Sequence, residues 1–181
     1  MKNNKTIAAI LVGGLVLVMI AGAFTPGIVF AESETDQDDD PSNQGNRAGF
    51  LKFFDGLLAR IFGYQKSMVA YLGRSLKYTE KAAEGAQKRI TELKANGEDV
   101  AELEEALDTY YDLIAEAEQV QVLTESLVEL HNGFEEDGLI EDLETARETV
   151  TEIEPNIKTV RDNIIEAAHV IYKAIQAYQE E

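Results

Sequence analysis

Between Leu143 and Tyr178 the apolar residues recur at alternating intervals of three and four without a break. The positions are Leu143, Ala146, Val150, Ile153, Ile157, Val160, Ile164, Ala167, Ile171, Ala174 and Tyr178. A strand repeats every two residues, so this spacing belongs to a helix with one apolar stripe. Sustained over five heptads, it predicts a long helix packed in a coiled-coil-like way against others. Pro155 falls inside the run at an outward position. The phase is the same on both sides of it, which predicts a kink rather than a break.

Two further segments share the rhythm. Leu72, Leu76, Thr79, Ala83, Ala86, Ile90 and Leu93 continue it in one, and Val100, Leu103, Leu107, Tyr110, Ile114 and Ala117 in the other. The second stripe then slips by one residue to Val120, Leu123, Leu127 and Leu130. Asn96-Gly97 and Asn132-Gly133 supply helix stops, and Asp137-Gly138 a turn. Asp99, with Glu102 three residues on, and Asp142 have the character of N-caps. The expected fold is all-α: an elongated antiparallel three-helix bundle with helices at about 48–95, 99–131 and 142–179. Short connections make neighbours antiparallel.

Residues 1–31 have a different character. Lys2 and Lys5 precede an uncharged stretch from Ile7 to Phe24, then Pro26-Gly27, then Val29-Phe30-Ala31. This is the order of an export signal with a cleavage site before Glu32. An uncleaved signal anchor is the alternative, since 18 apolar residues approach a bilayer span. The expected location is therefore exported: extracellular, cell-surface or periplasmic. Residues 32–47 open with six acids in nine positions and have few apolar residues, as a disordered acidic linker would.

Charge divides the exported part into zones. Pro41–Tyr78 has six bases against Asp55 alone, a net of +5, whereas Thr79 onward has 27 acids against eight bases. Between Ala95 and Ala146 there are 17 acids and no base. So acidic a body disfavours nucleic acid as a partner. The absence of cysteine removes disulfides, thiolate nucleophiles and Cys-based zinc sites. No phosphate-binding glycine loop or nucleophile–base pair is present, and Ser67, Ser75 and Ser126 have no base partner in sequence. The expectation is a protein that is not an enzyme and needs no cofactor.

The segment most suited to function is 48–64. Phe50, Phe53, Phe54, Leu57, Leu58, Ile61, Phe62 and Tyr64 take about half of the helical wheel, with Lys52 and Arg60 on the rest. A bulky apolar face with flanking bases suits a membrane surface. It equally suits packing on the bundle, on a protein partner or on a second copy. The leading expectation is a binding or structural module, membrane-associated through this helix. An extracytoplasmic chaperone that binds unfolded chains is the second.

A cation-binding protein is the third. Gly133–Glu144 partly follows a calcium loop, with Glu135, Asp137 and Glu144 at ligand positions, although Gly133 stands where the first acid belongs. Glu104, Asp108, Asp112 and Glu116 form an acidic ladder at i, i+4 spacing, read as a solvated face. Glu166 and His169 have the spacing of a di-iron motif but fall off the stripe, which makes them surface residues.

Overall fold

The computed structural model describes the backbone of residues 44–180 and the side chains of residues 56–180. The predicted signal or anchor and most of the acidic linker lie outside the described residues. Three helices make up the fold: α1 (Gln44–Ala95), α2 (Ala101–Leu130) and α3 (Leu143–Glu180). Helix α1 begins four residues earlier than its apolar face suggested. At 1.5 Å per residue it is about 78 Å long, against about 45 Å for α2 and 57 Å for α3. No described helix is long and apolar enough to cross a membrane.

Three hydrogen bonds between helices fix their directions. Tyr110 Oη donates to the Thr79 carbonyl at 2.9 Å, and Gln121 Nε2 to the Val69 carbonyl at 2.9 Å. Residue numbers fall on α1 as they rise on α2, so the two run in opposite directions. Gln65 Nε2 donates to the Val150 carbonyl at 2.9 Å, while Tyr178 senses Glu98 and Arg89 at the far end. Helices α1 and α3 therefore run the same way. Each helix packs against both others, and one hydrophobic cluster runs the length of the bundle.

The α3 stripe forms that core almost position for position. Ala146, Val150, Ile153, Val160 and Ala167 are sealed from solvent, and Leu143, Ala174 and Tyr178 are half-buried at the ends. Pro155 faces outward within a continuous helix. The seven α1 positions from Leu72 to Leu93 are all buried as well.

Helix α2 departs from expectation. Its buried positions do not slip after Ala117. They continue in the same phase to Gln121 and Thr124, both almost fully buried. The predicted continuation divides: Leu123 is 57% exposed and Leu130 61%, whereas Val120 and Leu127 are half-buried and pack against the core. The slip was inferred from hydropathy, but helix geometry holds the phase and hydrogen bonds make polar residues acceptable inside. Gln121 reaches the Val69 carbonyl, and Thr124 Oγ1 bonds back to the Val120 carbonyl. Gly73 makes room for this, because a Cβ there would meet the Gln121 amide at 3.1 Å and Glu125 at 3.0 Å.

The connections use the expected residues with two adjustments, the first being that α2 is C-capped by His131, which takes the left-handed φ of 37° ahead of Asn132-Gly133. Gly97 and Gly133 take positive φ of 82° and 80°, and Gly138 of 85°. Asp142 caps α3 by accepting the Thr145 N–H at 2.7 Å. The Thr145 hydroxyl, then that bond and the Glu144 N–H, hold its carboxyl below the usual range. Asp99 does not stand at the N-cap of α2. Val100 does, without a side-chain cap, because its side chain drops into the core. Asp99 still accepts the Ala101 N–H from one position further out.

Candidate functional site

The basic aromatic segment divides in two near residue 58. Leu58 and Phe62 are each 1% exposed and belong to the hydrophobic core. Phe62 stacks on Phe134 of the α2–α3 connection, with centroids 4.1 Å apart and planes 7° from parallel. Lys66 Nζ lies 5.5 Å from the centre of the Phe62 ring. Gln65, on the next turn, is the clamp to α3 described above. These two apolar residues of the proposed face thus hold α1 to the bundle, rather than facing a partner. Leu57 and Ile61 are half-buried, and Arg60 and Tyr64 are exposed. The side chains of Phe50, Lys52, Phe53 and Phe54 lie outside the described residues.

Register gives this division its meaning. Gln65 is level with Val150, which puts Leu58 level with Leu143, the first residue of α3. Val69 is level with Gln121, which puts Arg60 level with Leu130, the last residue of α2. Helix α1 continues from there toward Gln44. Its residues 44–57 therefore lie beyond the ends of both partner helices. The backbone there is helical, and the sequence places Phe50, Phe53, Phe54 and Leu57 on one side of it.

A second surface was not foreseen as such. Leu123 and Leu130 face outward on α2, next to Val120 and Leu127, which rest against the rim of the core. The signal was visible as the one-residue slip. Two apolar stripes offset by one residue lie on adjoining faces, so the second meets the core only along its edge, at Val120 and Leu127. Helix α2 carries nine acids and no base, but only Glu125 and Glu129 lie within this stretch, and the register sets Lys66 and Arg60 of α1 level with it. On the ladder, Glu104 pairs with Lys94 at 2.7 Å, while Asp108, Asp112 and Glu116 are exposed. Burial at the α1–α2 junction, then the charge of Glu80 and a hydrogen bond with it, raise the pKa of Glu118.

The three residues proposed for calcium do not come together. Glu135 and Glu144 point to solvent, and Asp137 Oδ1 accepts the Leu139 N–H within its own turn. Gly133 is closed to an acid: a Cβ there would run into the backbone of Thr145 and Ala146. The loop instead closes on itself, with Phe134 bridging to Ile140 and the Glu141 and Asp142 N–H groups donating to the Gly133 carbonyl. Among the described residues, no group of three or more acids or histidines could hold a metal ion.

The remaining chemical candidates lie apart. Glu166 and His169 are both exposed on α3. Ser67, Ser75 and Ser126 each donate to the carbonyl four residues back on their own helix. Comparison of the chain with protein-family models, curated proteins and solved structures gives no match to any of the three.

Proposed function

We propose that the protein is an exported, non-enzymatic helical module that docks on a membrane surface through the first turns of α1, residues 48–57. In this reading the bundle is an elongated, antiparallel, coiled-coil-like rod that presents the segment at one end. The observation that carries it is the run of α1 past its partners, in the part of the sequence that combines phenylalanines with bases. Leu58 and Phe62 fix the base of the segment, so the turns beyond it are held in a set direction. A phenylalanine buried in the interface contributes about 1.5–3 kcal/mol. A base near an anionic headgroup adds about 1 kcal/mol. Export past residue 31 leaves a membrane within reach of the segment.

Flotation with vesicles of mixed phosphatidylcholine and phosphatidylglycerol tests this. The exported protein is expected in the lipid fraction, and a Phe50→Ser, Phe53→Ser, Phe54→Ser variant in the soluble fraction. Equal flotation of the two would overturn the reading.

A further inference from the structure

Helix α1 turns one face away from both of its partners. Counted in heptads from the buried seam of Leu72 to Leu93, the line opposite the core holds Arg60, Ser67, Arg74, Lys81 and Lys88, seven residues apart. All five are exposed. Lys77 flanks this line on one side, and Tyr64 and Tyr78, 47% and 64% exposed, flank it on the other. From Gly56 to Thr79 there is no acid. Glu80 bonds with Glu118 of α2, which leaves Glu84 as the one acid beside the line before Lys88. From Thr79 onward the chain has 27 acids against eight bases. Among the described residues, Arg74, Lys77, Lys81 and Lys88 nonetheless form no ion pair with any of them. The bases are gathered on the side of α1 that points away from the acidic helices.

We propose that this face lies lengthwise on an anionic lipid bilayer, so that the rod docks along α1 as well as by its end. The inference rests on the membrane reading of residues 48–57 and adds to it an orientation and a lipid charge. An amphipathic helix lies in the plane of the interface. Helix α1 is continuous from Gln44 to Ala95, so a membrane that takes its first turns in that plane runs beside the rest. The same heptad count puts Phe53 on the line of the bases, and Phe50 and Leu57 on the line of the tyrosines. From Arg60 to Lys88 the face is about 42 Å long. Tyrosine has an apolar body and a polar tip and suits the headgroup level, which favours a lipid surface over a soluble polyanion. The acids of α2 and α3 stand behind α1, about 10 Å further from the surface, where physiological salt screens much of their repulsion.

Equilibrium binding of the exported protein to vesicles of phosphatidylcholine, alone or mixed with phosphatidylglycerol, tests the charge. Arg60→Gln, Arg74→Gln, Lys81→Gln and Lys88→Gln together are expected to weaken binding to the mixed vesicles about fivefold per base, several hundredfold in all. Binding to phosphatidylcholine alone and helical circular dichroism should not change. A dye attached to Ser67→Cys reads the orientation, since the natural chain has no cysteine. Its emission is expected to shift to the blue on mixed vesicles and to be quenched by a doxyl-labelled lipid. The same dye on Glu148→Cys, exposed on α3, should not respond.

Equal binding by the quadruple variant, or a silent dye at position 67, would overturn the proposal and leave end-on docking by residues 48–57 standing. The opposite result is distinct. If the triple phenylalanine-to-serine variant binds mixed vesicles as the natural chain does and the quadruple variant does not, the lengthwise contact stands and the reading of residues 48–57 falls. Polyphosphate bound by the natural chain and lost by the quadruple variant, with vesicle binding equal in both, would assign the face to a soluble polyanion and overturn the proposal.

Discussion

Helices α2 and α3 carry similar amounts of apolar sequence and use it differently. On α3 one stripe enters the core from end to end, and Ala146 through Ile171 are buried at every seam position. On α2, where the half-buried Val128 later resumes it, the apolar core stripe is unbroken only as far as Ala117. Beyond it the buried positions are Gln121 and Thr124, while leucines at 123 and 130 face out. The difference shows that helical phase, set by the longer packed run, decides which residues go inside. Hydropathy decides how much that burial contributes. A buried glutamine is tolerated because it finds a carbonyl on the next helix.

The contrast can be broken most sharply by truncation. Ile153→Ala on α3 is expected to cost about 2–5 kcal/mol in urea unfolding, as a fully buried aliphatic should. Leu123→Ala is expected to stay within about 0.5 kcal/mol. Comparable losses would mean that Leu123 is part of the core.

Tyr110→Phe removes the buried bond to the Thr79 carbonyl and is expected to cost about 1 kcal/mol. It should also change the alkaline limb. Burial pushes the Tyr110 phenol from 10.0 up to about 12, partly opposed by its bond to Thr79. The folded chain thus keeps a proton that the unfolded chain loses. The stability from this group is complete below pH 10 and falls as pH rises toward 12. The phenylalanine variant should lack that fall in denaturation midpoints measured from pH 9 to 12.

Much of the fold was legible. The heptad run on α3, the seven α1 positions, the Gly97 stop and the Asp142 cap all depend on local spacing or local backbone chemistry, which a sequence displays. The core place of Gln121 and Thr124 was not legible, because it depends on Val69 and Gly73 standing opposite. Nor was the split of the aromatic segment at residue 58. That depends on Phe134, 72 residues after Phe62, folding back to stack on it. The calcium-loop reading rested on acid spacing alone, and spacing does not show that Gly133 is pressed against α3.

Smaller effects sharpen the picture. Gln121→Leu is expected to change stability by less than about 1 kcal/mol in the same urea assay. It gives up the bonds to the Val69 carbonyl and the Glu125 carboxylate but also removes a buried carbonyl oxygen that lacks a partner. A loss well above that would make the glutamine an essential clamp. Gly63 is exposed on α1, and a Cβ there would meet nothing within 4 Å. Gly63→Ala should therefore stabilise the bundle by about 0.5 kcal/mol through helix propensity, read as a higher thermal midpoint.

The central claim is that α2 keeps one phase, with Thr124 inside and Leu123 outside. The natural chain has no cysteine, so a single introduced thiol reports its own position without interference. Labelling rates with a maleimide should be near those of a free thiol for Leu123→Cys. For Thr124→Cys they should be slower by a factor of a hundred or more, on the scale of a core position that opens only rarely. A protected thiol at 123 and a reactive one at 124 would contradict the claim.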